Sequence, residues 1–169
     1  MSLVGFKGKN HPQQVEEKGA DDTVDERVTP RKLFDALHWK HQFTLDAAAL
    51  PRNAKCKRYF TPERDGLMES WAGEIVWCNP PYSEISSWVE KALFEVRSNG
   101  CKKVVMLLPA NRTEQLWWQT MIEPRRDSGQ GIKTEFMPER INFGTPNNED
   151  GKYKTSAPFG CVLITITPA

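Results

Sequence analysis

Four consecutive residues, Asn79-Pro80-Pro81-Tyr82, carry groups suited to one reaction: transfer of a methyl group onto an exocyclic amine conjugated with a ring or a carbonyl. Such a nitrogen is a poor nucleophile because its lone pair is delocalised. The side-chain amide oxygen of Asn79 and the backbone carbonyl of Pro80 can each accept one N–H. That draws the nitrogen toward tetrahedral geometry and localises the lone pair. Consecutive prolines lack N–H donors and fix φ, so Pro80 and Pro81 keep these acceptors aimed. Tyr82 adds a π face on which a planar base can stack. The same tetrapeptide is also a good strand terminator, with Tyr82 covering a sheet edge. Its place between a buried strand and a capped amphipathic helix favours the chemical reading.

The frame around it follows from hydrophobic spacing. Residues 75–78 predict a strand stopped by Pro80 and Pro81. Ser83 is placed to cap a helix in which Ile85, Trp88, Val89, Ala92, Leu93 and Val96 form one apolar stripe, with Gly100 as its stop. Upstream, order is expected to begin at Thr29 and Pro30, an N-cap and a first helical residue, ahead of Leu33, Phe34 and Leu37; this helix ends between residues 38 and 42. Residues 43–49 predict a short buried strand running into a turn of small residues, and residues 50–73 a long connection. Residues 104–108 predict a central strand buried on both faces. A helix over 113–122, carrying Leu116, Trp117 and Met121, and strands over 133–143 and 160–167 complete the chain, with a polar loop over 144–156. Trp77, Trp88 and Trp117 fit core positions. The alternation predicts an α/β sandwich, its sheet mostly parallel with helices on both faces, whose ligands bind at the carboxyl ends of the strands. Residues 1–28 read as a flexible polar arm and residues 29–169 as a single catalytic domain.

Charge narrows the class. Against 22 Asp+Glu stand 23 Lys+Arg, which excludes a strongly basic nucleic-acid coat and a polyacidic tail protein; DNA, if bound, is met by local patches. Cys56, Cys78, Cys101 and Cys161 are widely spread, with no C-x-x-C pair and no His at zinc-ligand spacing, so reduced structural thiols and no metal site are expected. No apolar stretch is long enough to cross a bilayer and no signal-peptide apolar region is present, so a cytoplasmic location is expected.

Asn-Pro-Pro-Tyr resembles the catalytic motif of amino-methyltransferases that use S-adenosylmethionine, and the surrounding sequence is similar to the small phage N6-adenine DNA methyltransferases. The stretches that carry the resemblance include Thr29-Pro-Arg-Lys-Leu-Phe-Asp35, Phe43-Thr-Leu-Asp-Ala-Ala-Ala49, Asn53-Ala-Lys-Cys-Lys-Arg-Tyr-Phe-Thr-Pro-Glu63 and Asp65-Gly-Leu67. Trp71, Val76-Trp-Cys-Asn-Pro-Pro-Tyr-Ser83, Leu107-Leu-Pro-Ala110, Arg112-Thr113, Trp117-Trp118 and Ala157-Pro-Phe-Gly160 continue it, in one order, over roughly residues 29 to 166. It implies a Rossmann-like methyltransferase fold that takes adenine out of double-stranded DNA and methylates N6 in a host-cell cytoplasm. It also implies an S-adenosylmethionine pocket, with Asp46, Ala47, Ala48, Asp65, Asn79 and the Thr29-Pro30 segment against the cofactor. Asp46 would meet the cofactor's amino-acid end, or simply cap a strand; Asp65 would lie near its adenine or ribose, or simply form an Asp-Gly turn. The glycine-rich loop expected after the first strand is replaced by Ala47-Ala48-Ala49. The short distance from Asp46 to Asn79 implies a reduced number of βα units.

For phosphate contact the candidates are the Arg52, Lys55, Lys57 and Arg58 cluster, and Lys152 and Lys154 in the 144–156 loop. Arg112, just past a strand end, would reach phosphate or cofactor, or cap its helix. No separate target-recognition domain is visible, which leaves sequence readout to loops, to a second copy in a homodimer, or to a partner chain. The rival readings are methylation of a protein glutamine amide or of RNA, and a catalytically weak DNA-binding module that retains the fold.

Overall fold

The computed structural model describes residues 27–145 and 157–169. Two α-helices are described, α1 (Arg31–His41) and α2 (Ile85–Ser98). Six strands make one sheet: β1 (Leu45–Asp46), β2 (Arg58–Tyr59), β3 (Ile75–Cys78), β4 (Lys103–Pro109), β5 (Ile132–Phe136) and β6 (Cys161–Ile166), in the spatial order β2-β1-β3-β4-β6-β5. β2, β1, β3 and β4 run parallel, with Leu45 opposite Val76 and Val76 opposite Val104. β6 lies between β4 and β5 and is antiparallel to both.

The sheet is therefore mixed, which corrects the expectation of a mostly parallel one. A parallel neighbour needs a helical crossover, and α2 supplies one between β3 and β4. The expected helix over 113–122 does not supply another. It is a short turn of π geometry over Trp118–Ile122 followed by a 3₁₀ turn over Glu123–Arg125; the chain then enters β5, one place beyond β4's neighbour, and β6 returns between the two, antiparallel to both. Leu116, one of the apolar residues read on this helix, is exposed, whereas Trp117 and Trp118 are buried. The reduced connection is observed: residues 47–74 contain only the two-residue β2 and a 3₁₀ turn over Pro62–Arg64.

Helix ends also differ from expectation. α1 starts at Arg31 with Pro30 in the cap position and no side-chain cap, so the Thr29 hydroxyl is not spent on the helix. Ser83 does not cap α2. The chain makes a 3₁₀ turn over Tyr82–Glu84 that runs directly into the helix. The apolar stripe is buried as the spacing predicts, and Gly100, at φ +77°, closes the helix in a conformation glycine adopts without strain.

The core explains how so short a β1 stays in place. Leu45, Trp77 and all of residues 104–108 are buried, and Phe34 of α1 meets the Trp77 ring edge-on at 5.7 Å and Phe43 at 5.6 Å. The long connection is fastened to α2 by a buried carboxylate. Glu95 accepts the Trp71 N–H at 2.9 Å and an Asn99 amide hydrogen at 2.8 Å, and pairs with Lys91 at 2.6 Å. Such a buried charge is tolerated because every partner is in place. All four cysteines are free; burial pushes the Cys161 thiol to about 12 and the Cys101 thiol to about 11, so neither is a ready nucleophile at neutral pH. No described helix is long and apolar enough to cross a membrane.

Candidate active site

The carboxyl ends of β1 and β3 open into a pocket of about 520 Å³, within the range of small-molecule sites. Its walls bring together Thr29, Asp46, Ala47, Ala48, Lys55, Asp65, Asn79 and Pro81 from the sequence-predicted residues. Pro30, Pro80, Tyr82, Arg52, Lys57, Arg58 and Arg112 lie off those walls, and Lys152 and Lys154 fall outside the described residues.

Asp46, the last residue of β1, is 2% exposed. Burial pushes its carboxyl up to about 6, although the backbone N–H groups of Lys55 (2.9 Å) and Ala48 (3.3 Å) donate to it and oppose that rise. Two bonds leave part of the carboxylate's acceptor capacity for a cationic group in the pocket.

The alanines take an extended path. Ala47 N–H donates to Trp77 O and Ala49 N–H to Phe60 O, while Ala48 N–H goes to Asp46. A glycine-rich loop turns its amides toward a ligand; here all three amides are spent on neighbouring strands and on Asp46. The segment offers methyl groups and a close backbone surface instead. The glycine that close packing demands lies elsewhere, at Gly66. A Cβ there would stand 2.2 Å from Ala47 O and 3.1 Å from the Trp88 ring. Trp88 lines the pocket, and its buried indole N–H has no partner among the described residues. A spare buried donor, a buried carboxylate and the aromatic walls Phe60, Trp77 and Trp88 suit a molecule with a cationic end and a heterocyclic base.

Asn79 follows β3 directly. Its Nδ2 donates to Arg27 O (3.0 Å) and to Thr29 Oγ1 (3.2 Å), and no described residue donates to its Oδ1. The Arg27 carbonyl can only accept, so the amide nitrogen must point that way and the oxygen the other.

Residues 17–168 match the family described as DNA N-6-adenine-methyltransferase (Dam). The chain belongs to this family. Its relatives include the DNA N-6-adenine-methyltransferase of Escherichia phage T1, 32% identical over 132 residues that cover 77% of this chain and 50% of the relative. Another is the DNA N-6-adenine-methyltransferase of Haemophilus phage HP1, 40% identical over 111 residues, 66% of this chain and 59% of the relative. The chain thus spans between half and three-fifths of the length of these Dam-family proteins.

In this Dam-family chain the far end of the tetrapeptide is anchored too. Tyr82 is 2% exposed, its hydroxyl donating to Leu107 O at 3.3 Å and its ring meeting Phe159 edge-on at 5.8 Å. Arg112 is equally buried, and its Nη1 donates to the Tyr82 carbonyl, so its guanidinium faces the motif rather than the surface. Within the basic cluster Arg58 is paired with Glu74, whereas Arg52 and Lys57 are exposed. Lys55 is half-buried and reaches the pocket wall. Sequence reasoning missed Arg27, Phe60 and the close-packed Gly66, and gave Trp77 and Trp88 to the core alone. Both are core residues whose surfaces also form the pocket. Gly66 was signalled by the Asp-Gly pair within an otherwise aperiodic connection.

Proposed function

We propose that the chain transfers a methyl group from S-adenosylmethionine to N6 of an adenine turned out of DNA. The observation that carries this reading is the held Asn79 amide, its nitrogen committed to Arg27 and Thr29 and its oxygen uncommitted, on the wall of a pocket that also contains Asp46. Membership of the Dam family supports both the reaction and the DNA substrate. S-adenosylmethionine would supply a methyl group on a sulfonium that leaves as a neutral thioether. Asp46 would hold its ammonium end, with Ala47, Ala48 and Asp65 along it and Trp88 contributing its spare donor.

Asn79 Oδ1 and the Pro80 carbonyl accept the N–H groups of N6 and direct its lone pair toward the methyl carbon. A strong general base is not required, because the proton is lost after methyl transfer, when the nitrogen is cationic and acidic. Stacking of the base on Tyr82 requires the Tyr82–Phe159 pair to open; in the conformation described, both Tyr82 and Arg112 brace the motif. Phosphate contact falls to Arg52 and Lys57, which are exposed. We place the reaction in a host-cell cytoplasm, with sequence readout coming from loops or a second copy.

The test is incubation of the protein and methyl-labelled cofactor with unmethylated DNA, RNA and protein acceptors in competition. N6-methyladenine in the DNA is expected. Its absence from every DNA tried, or full activity in Asn79→Ala, would overturn the reading.

A further inference from the structure

The geometry assigns Thr29 as the positioning residue that locks the Asn79 amide in the rotation the Arg27 carbonyl selects, rather than as a helix cap. This rests on the reading of Asn79 as the acceptor for the target amine. An acceptor is useful only if its oxygen, not its nitrogen, faces that amine, and a terminal amide has two nearly isosteric rotamers separated by about 180°. The choice between them is made by what the other end of the amide meets. Here both amide hydrogens are taken, one by the Arg27 carbonyl at 3.0 Å and one by the Thr29 hydroxyl at 3.2 Å.

Thr29 is available for this because α1 does not use it. Pro30 fills the cap position and no side chain caps the helix. Thr29 is 2% exposed, so water does not compete for its oxygen. The segment that presents it is itself fixed: Val28 and Gly144 exchange two backbone hydrogen bonds, at 3.1 and 2.8 Å, and Val28 is buried. A reversed Asn79 amide would bring its oxygen against the Arg27 carbonyl oxygen and leave the nitrogen facing the amine, a donor opposed to a donor.

Thr29→Val keeps the shape and removes the hydroxyl, leaving one of the two restraints. The expected result is a fall of about tenfold in kcat at saturating S-adenosylmethionine, with the KM for the cofactor within about twofold of the parent. Thr29→Ser, which restores an oxygen, should recover kcat to within about threefold. In an Asn79→Ala background, where no amide remains to orient, Thr29→Val should cost nothing further. Thermal melts of each variant show whether the fold is kept. An unchanged kcat in Thr29→Val, an effect confined to cofactor KM, or full additivity with Asn79→Ala overturns the assignment while leaving the proposed reaction standing. Full activity of Asn79→Ala alone would instead overturn the reading of Asn79 on which the assignment rests.

Discussion

Replacing Asp46 with Asn separates what one buried carboxylate costs the fold from what it offers a ligand. Burial raises its carboxyl from 3.8 to about 6, so ionising it at neutral pH costs about 3 kcal/mol relative to the unfolded chain. Between pH 3.8 and about 6 the folded state retains a proton that the unfolded chain has lost. Its contribution to stability therefore falls as pH rises through that window and is level above it. Asp46→Asn removes this penalty. An amide has a single acceptor oxygen for the two N–H groups of Ala48 and Lys55, however, and the lost bond takes back about 1 kcal/mol. The net expectation is a gain of about 2 kcal/mol at pH ~7.5, or roughly 4–8 °C in Tm, turning to a small loss near pH ~4. The same change should weaken S-adenosylmethionine binding by about tenfold or more, because an uncharged amide replaces the partner of a cation. For the parent protein, cofactor affinity should decline by up to about tenfold for each pH unit below about 6. Thermal melts across that pH range and calorimetric titration with cofactor measure both effects. A variant no more stable than the parent at neutral pH, yet binding cofactor as tightly, would refute both the burial penalty and the cationic contact.

Three further expectations concern residues in and around the site. Gly66→Ala forces a methyl against Ala47 O and the Trp88 ring, neither of which is the end of a flexible side chain. It should destabilise the fold by about 1–3 kcal/mol in denaturant titration and weaken cofactor binding in parallel. Arg112→Ala strips a buried donor from the Tyr82 carbonyl and should lower both Tm and kcat, while leaving the salt dependence of DNA binding unchanged in fluorescence anisotropy. Arg52→Ala with Lys57→Ala should do the reverse, reducing the salt slope by about one for each residue that meets phosphate and leaving kcat at saturating DNA as it was.

Periodicity located the parts of the molecule that local physics decides. The stripe on α2 and the run of residues 104–108 are buried as read, because their spacing admits one solution. What escaped were choices settled by tertiary partners. Whether Thr29 caps α1 or serves Asn79 depends on a residue fifty positions away, and strand direction past β4 depends on β6, whose place in the sheet no local pattern encodes. Trp39 marks the converse limit: a large apolar residue on α1 stands exposed. In the candidate site, Tyr82 and Arg112 could not be separated into contact and brace without knowing which side of the tetrapeptide they occupy. Ala47 to Ala49 read as a defective glycine loop because the sequence does not reveal that their amides are spent on Trp77, Phe60 and Asp46.

The antiparallel course of β6 gives the two ends of the domain unequal standing for anyone building with it. β6 begins at the carboxyl end of β4, where Cys161 pairs with Pro109, and ends opposite Val104 at that strand's amino end. Residue 27, by contrast, leads directly into the bridge and the Asn79 contacts. A reporter or DNA-targeting module fused after Ala169 departs from the end of the sheet opposite the candidate site. The same module joined shortly before Arg27 pulls on the segment that holds the Asn79 amide, making that junction the place to engineer a methyl transfer governed by tension or by a docked partner.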